Sequence, residues 1–459
     1  MITGLLNIKN KKCLFKLKDF ILEIEEIENR DNVSIDDLSF IFDKQLREIV
    51  PHSLKGKDFE SGKDILFNLR SLDQTGPKTH TAKIISYVIL ESEETSFDGI
   101  QINADEFNWF HNVGNSYSFK MNTITGESEV KLEPFEKTEK EFYFDFEDQV
   151  VKGTFNIART FSRISTLPIR VKTDMSLNFQ ETNEVSKAEQ FVLITKKLLN
   201  FISYRKNTTI NKITLKKKDI VSGYYKKIGM LFINDINCRY TDTEKIVQEQ
   251  LITLPLLEDK LGKLFEKIIQ NSIYLSHIPE DSREWHTITP SRFIMITAGF
   301  EWQFRSTYNE QNTENEEKYN EQEKDILNFL DKKIEQYTGK NKKYFKSIKK
   351  LILRSNMTLS DKIYWTLNQF KDVLEIFIKS TYNLNNIQDV NYSDISERIQ
   401  TQRNNIAHGN IDKELNPVVI LDLIVLEWLY YAMVLNDIGV SRENIKHSIN
   451  KLFKRGFAL

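Results

Sequence analysis

The chain has 459 residues, 40 % hydrophobic and 28 % charged, with a formal net charge of -2 and a pI near 6.5. That length predicts two or three domains of ordinary globular composition, and the near-neutral charge excludes a generally basic nucleic-acid coat, so any RNA contact must come from a local patch. Cys13 and Cys238 are the only cysteines, which excludes a disulfide scaffold or a cysteine-based zinc site.

The N-terminus, MITGLLNIKNKK, has no apolar core of signal-peptide length. Residues 1 to about 180 then read mainly as β-structure. Cys13 to Leu17, His80 to Leu90, Ser116 to Met121, Phe142 to Phe146, Val150 to Ile157 and Arg170 to Phe179 are rich in β-branched or aromatic residues. Several alternate at period two. Turn signals lie between them at Thr75-Gly76-Pro77 and Thr125-Gly126-Glu127, and a hairpin is expected around Gln149. Many short strands of this kind predict a sandwich or a twisted antiparallel barrel. Ser34 to Phe42 reads as a short helix within it.

A helix is predicted from Ser186 to Tyr204, opened by a capping box between Ser186 and Glu189. Its apolar face is Phe191, Ile194, Leu198, Leu199 and Ile202. Two further strands, Thr209 to Leu215 and Lys227 to Asn234, close an N-terminal β-rich domain expected to span residues 1–245.

From there the period changes. Helices are predicted over Pro255 to Tyr274, Pro290 to Tyr308, Glu323 to Tyr337, Tyr344 to Arg354, Ser360 to Ser380, Ser393 to Gln402, Asn416 to Asn436 and Ser441 to Phe453. Thr289-Pro290 and Asn416-Pro417 place a capping residue before a first-turn proline, and Gly439 suits a stop. Residues 246–459 are therefore expected to form an all-helical bundle, and the whole chain an α+β protein. The apolar run Val418 to Leu435 contains Asp422 and Glu427, which reads as a buried helix rather than a membrane span. No membrane partner is expected, and a cytoplasmic location is. Asn309 to Asp325 is acidic, asparagine-rich and reads as a loop. Lys340 to Lys350 is basic with two aromatics: a solvated helix face, or an RNA contact through Lys342, Lys343 and Lys346 with stacking from the aromatics.

The stretch with the most chemistry is Arg403-Asn404-Asn405-Ile406-Ala407-His408-Gly409. Metal-free RNA cleavage uses the RNA's own 2′-hydroxyl as nucleophile, so the enzyme need only move protons and stabilise charge. A histidine titrates near neutrality and serves the first need. An arginine fork suits phosphate oxygens and serves the second. The spacing alone is cheap, with roughly 0.24 Arg-x4-His pairs expected by chance in this composition. The plain alternative is a salt-bridged helix-end arginine and a capping histidine. On an ideal helix Arg403 and His408 diverge by about 140°, so the motif must straddle a helix end or line a groove completed from elsewhere. The remaining histidines show no metal-ligand spacing, and no Walker, dinucleotide or nucleophile-elbow motif is present. No cofactor is expected. Asp145, Glu147 and Asp148 read as solubilising charges on the hairpin.

With its helical surroundings and the apolar helix that follows, the Arg403–Gly409 motif resembles the HEPN superfamily of all-helical ribonucleases. That resemblance implies His408 as acid or base, Arg403 on the scissile phosphate, Asn404 as an orienting group, and a C2 homodimer through the helical domain that brings two motifs to one cleft. It also draws attention to Glu301, in Ala298-Gly299-Phe300-Glu301-Trp302, where related enzymes often carry an acidic residue. A β-rich domain of about 240 residues before such a nuclease resembles ApeA-type abortive-infection proteins of bacteria. This implies cleavage of host RNA, tRNA above all, in response to a phage-derived trigger. The alternatives are the toxin of a toxin–antitoxin pair, or a non-catalytic HEPN-like scaffold whose β domain binds a ligand.

Overall fold

The computed structural model describes residues 1–8, 11–27, 53–76, 78–121, 124, 126–164, 166, 169–238, 240–308, 321–354, 357–409 and 415–458. The chain is mixed α+β and divides into two units, Met1–Gln248 and Glu249–Leu459.

In the first unit, alternation of small groups of apolar residues with Lys and Glu builds half-buried strands. These are β1 (Ile2–Ile8), β2 (Lys11–Lys18), β3 (Ile21–Glu26), β4 (Ser53–Asp58), β5 (Asp64–Gln74) and β6 (Thr79–Leu90). They close as a six-stranded antiparallel barrel in the order β1-β2-β3-β6-β5-β4, with β4 returning to β1. Phe15, Leu22, Ile65, Phe67 and Ala82 fill its interior. The Phe15 and Phe67 rings meet edge to face at 5.2 Å. A side chain at Gly4 would come within 2.0 Å of the Lys57 carbonyl, which is why a glycine stands where β1 crosses β4.

β6 is shared. Thr79–Lys83 pairs with β3, while Ser86–Leu90 pairs along the same edge with a strand at Gly229–Ile233. From there an open antiparallel sheet continues through β14 (Tyr225–Ile233), β13 (Ile210–Lys218), β7 (Phe97–Ala104), β12 (Ile169–Thr182), β11 (Gln149–Phe161) and β10 (Lys140–Phe146). β8 (Tyr117–Met121) and β9 (Ser128–Leu132) form a separate hairpin. The hairpin expected at Gln149 is the β10–β11 turn, with Glu147 in the left-handed region at φ 52°. The segment Ser34 to Phe42 lies outside the described residues.

Helix α1 (Val185–Ser203) packs Phe191 against Phe146 and Phe179, with ring centroids 4.7 and 4.8 Å apart. The expected capping box at its start is absent: the N-cap is Glu184, with no side-chain cap bond. Glu189 is instead buried under the helix, where its carboxylate accepts from Asn68 Nδ2 at 2.6 Å and from the Ser86 hydroxyl. A buried carboxylate needs donors from the surrounding fold more than a cap needs its reciprocal partner.

The second unit contains α2 (Leu261–Ile269), α3 (Pro290–Tyr308), α4 (Glu321–Gln336), α5 (Gly339–Arg354), α6 (Leu359–Gln369), α7 (Lys371–Leu384), α8 (Tyr392–Ala407), α9 (Pro417–Asp437) and α10 (Arg442–Leu452). The helix expected over Pro255 to Tyr274 is broken. Leu254–Leu257 forms a 3-10 turn, Glu258 takes φ 55°, and only then does α2 begin. The helix expected from Ser360 to Ser380 is two, joined at the buried Phe370, whose backbone at φ -108°, ψ 22° leaves the helical region. Its apolar phase runs on through Leu367, Phe370, Val373, Leu374 and Phe377, so the pattern carries no mark of the bend.

α9 is the spine of this unit. It is long and apolar enough to cross a membrane, but most of its surface is buried among α3, α7, α8 and α10. Asn416 caps it by accepting from the Val418 amide at 2.9 Å. It ends at Gly439, φ 90°, where the Val440 amide reaches the Leu435 carbonyl at 3.0 Å in a Schellman arrangement. The two acidic residues of the apolar run are both partnered: Glu427 pairs with Arg292 at 3.2 Å, and Asp422 holds α8.

Candidate active site

α8 carries the Arg403–His408 motif, and its own sequence explains its placement. Asn391 caps its start by accepting from the Ser393 amide at 3.0 Å. Ile395, Ile399 and Gln402, spaced four and three residues apart, are buried on one face. One flank is held by Arg398, whose fork reaches both oxygens of Asp422 on α9 at 2.8 and 2.7 Å. The Tyr382 hydroxyl of α7 donates to the same carboxylate. Burial pushes the Asp422 carboxyl upward, against Arg398 and Tyr382, which favour its charged form. Burial, with the Asp422 charge beside it, raises the Tyr382 phenol, and the Asp422 hydrogen bond keeps Arg398 protonated. The other flank is held by α6: Ser360 donates from its amide to Gln400 Oε1 at 2.9 Å, and its hydroxyl meets that of Ser396 at 3.0 Å.

The motif occupies the free end of this clamped helix. Arg403 lies within the regular helix and is half-buried; Asn404 and His408 are exposed. His408 is the C-cap at φ -88°, ψ 8°, and its amide reaches the Asn404 carbonyl at 3.0 Å. Gly409 follows at φ 80°, its amide on the Ile406 carbonyl at 3.0 Å, which stops the helix as a left-handed residue. Asn404 Oδ1 accepts from Arg403 Nη1 at 3.3 Å, so the asparagine touches the arginine rather than the histidine. Because residues 403 to 407 remain helical, the divergence of Arg403 and His408 persists, and both face solvent from one helix end. Among the described residues no hydrogen bond or ion pair to the His408 ring is recorded. The cap leaves that ring facing solvent.

Glu301 lies on α3, which packs against α8. Its carboxylate accepts from Arg305 Nη2 at 2.6 Å and from Lys362 Nζ of α6 at 3.4 Å. Burial works to raise this carboxyl, but the Arg305 hydrogen bond and the nearby Lys362 charge carry the net shift downward. These contacts place Glu301 in an ionic cluster between α3 and α6 and supply no bond from it to Arg403 or His408. Lys342, Lys343 and Lys346 lie on α5, a different helix from the one carrying the motif. Among the described residues no three His, Cys, Asp or Glu side chains gather as a metal-binding group.

Two features around the candidate site escape a reading of the motif alone: the Arg398–Asp422–Tyr382 clamp and the buried Lys362 beside Glu301. The first had a signal, since an aspartate inside an apolar helix requires a partner. Its partners lie 24 and 40 residues away in the chain, which no local pattern reports. Comparisons with family models, curated proteins and solved structures return no match to this chain.

Proposed function

We propose that this chain is a metal-independent endoribonuclease whose helical unit is a HEPN-type bundle and whose site is Arg403, Asn404 and His408. The observation that carries the reading is the presentation of an unengaged histidine and an arginine fork at the free end of a helix clamped on both flanks. Fixed scaffolding beneath exposed proton-transfer and phosphate-binding groups is what transesterification demands. The imidazole of His408 takes the proton of the RNA 2′-hydroxyl, and the 2′-oxygen bonds to phosphorus. The P–O5′ bond then breaks, and the 5′-oxygen collects a proton. Arg403 stabilises the charge that builds on the phosphoryl oxygens, and Asn404 steadies the guanidinium. The products are a 2′,3′-cyclic phosphate and a free 5′-hydroxyl. One histidine per motif, facing away from its arginine, favours a homodimer through the helical unit in which a second copy completes the cleft. The biological setting we assign is abortive infection, with host tRNA as substrate and the β-rich unit answering a phage-derived signal.

The test is purified cleavage together with induced expression and sequencing of RNA 5′ ends, comparing wild type with His408→Ala and Arg403→Ala. Each variant is expected to lose about 10²- to 10⁴-fold in cleavage while its fold is retained. Wild-type cleavage by either variant removes the site assignment.

A further inference from the structure

Outside the site, the most unusual surface in the helical unit is the hairpin of α4 and α5. From residue 321 to residue 354 it holds ten basic and five acidic residues, a net charge of +5 within a chain whose total is -2. The excess is concentrated in α5, GKNKKYFKSIKKLILR, which has no acidic residue at all. Each helix packs chiefly on the other. Tyr337 meets Phe345 with ring centroids 5.4 Å apart, Leu330 is buried, and Lys349 pairs with Asp331 of α4. The ring of Phe345 on α5 is therefore turned toward the α4 side of the hairpin. On its other side Lys340, Lys343 and Lys346 are exposed and Lys342 half-exposed. Among the described residues no carboxylate within ion-pair distance of these four is recorded. Beside them Tyr344 stands 66 % exposed.

We propose that this hairpin is an RNA-binding arm, holding single-stranded RNA through phosphate contacts from Lys340, Lys342, Lys343 and Lys346 and through stacking of a base on Tyr344. The inference rests on the ribonuclease reading for its biological purpose, but its physics is independent of that reading. Lysines about one helical turn apart match the tracking of a polyanionic backbone. An exposed aromatic among them supplies a sequence-tolerant platform for a base. An anionic membrane surface would also attract the lysines. It would further require a broad outward apolar face, and the ring of Phe345 that would help to form one is packed on Tyr337.

The experiment uses the full chain carrying His408→Ala, so that binding is read without cleavage. A fluorescent single-stranded RNA is titrated at several salt concentrations, beside vesicles containing phosphatidylserine. The arm variants are Lys342→Gln/Lys343→Gln/Lys346→Gln and Tyr344→Ala. For the triple variant the slope of log affinity against log salt is expected to fall by about 2, at about 0.7 per lost contact. Tyr344→Ala is expected to weaken binding about fivefold or more with the slope unchanged. In the otherwise wild-type enzyme the same changes raise KM and leave kcat, the reverse of His408→Ala. Unchanged RNA affinity and slope in the triple variant overturn the arm, as does a loss confined to vesicle binding. RNA binding that depends on the arm in a protein that never cleaves RNA supports the arm and removes only the ribonuclease reading.

Discussion

Replacement of Arg398 by alanine tests whether α8 is held in place by the clamp behind the site. Asp422 is fully buried and receives two bonds from Arg398, at 2.8 and 2.7 Å, and one from Tyr382. Removing the guanidinium leaves a carboxylate inside the unit with the tyrosine alone. Breaking a buried pair in this way costs about 3 to 5 kcal/mol. Arg398 is itself 32 % exposed, so the space it vacates opens to water and the cost should fall near the lower end, about 3 kcal/mol. Tyr382→Phe removes one bond to a charged acceptor and should cost less, about 1.5 kcal/mol. A paired Arg398→Met/Asp422→Leu change should recover most of the loss, because no charge is then stranded. Urea unfolding followed by tryptophan fluorescence is the assay, since Trp285, Trp302, Trp365 and Trp428 all lie in the helical unit. With an m-value of about 2 kcal/mol/M the Arg398→Ala midpoint should fall by about 1.5 M. The pH dependence provides a second check. In that variant the lone Asp422 has a folded pKa raised above its unfolded value, so the deficit is full at neutral pH and shrinks as the carboxyl takes up a proton on acidification. A loss below about 1 kcal/mol, or one that grows from pH 7 to pH 5, refutes the reasoning.

Cleavage is expected to persist in excess EDTA and to fail on RNA carrying 2′-deoxy or 2′-O-methyl at the cleaved position; strict Mg²⁺ dependence would point to a different chemistry. Mixing His408→Ala protomers with wild type should depress activity below the wild-type fraction, whereas a strictly proportional series, or an active monomer by light scattering, counts against a composite site. Gly409→Ala places a Cβ on a residue at φ 80° and should cost about 1 to 2 kcal/mol at the end of α8; an unchanged melting temperature would show that the left-handed stop is dispensable. In the β-rich unit, burial holds His111 below its ordinary value, although its ring lies 2.7 Å from the Thr138 carbonyl. A depressed folded pKa gives stability that is present above about pH 6.5 and is lost on acidification, by up to about 1.4 kcal/mol per pH unit. His111→Gln should flatten that slope in a pH series of unfolding midpoints, and an identical slope would assign it to other groups.

What the sequence determined by itself is whatever a few neighbouring residues can encode. Period-two alternation marked β2, β6 and β10 to β14, and the change of period marked the helical half. The caps at Thr289 and Asn416 and the stop at Gly439 could be read because a side chain and the amides it serves lie within one turn. The Arg403–His408 motif was legible for the same reason, as was the choice it posed between a helix end and a groove completed from elsewhere. Strands such as β3 and β4 were not, because most of their exposed positions are Glu or Lys, and only barrel closure gives their few apolar residues an interior to fill. Closure itself, and the branching of the sheet at β6, depend on pairing between strands far apart in the chain. The same distance separates Glu189 from Ser86, 103 residues upstream, and turned an expected cap into a buried hydrogen bond. Asp422 shows the division most plainly. Its position in an apolar helix announced a requirement for partners, but Arg398 and Tyr382 could be chosen only by the packing of α7, α8 and α9, which brings distant residues within hydrogen-bond reach and excludes water from the carboxylate.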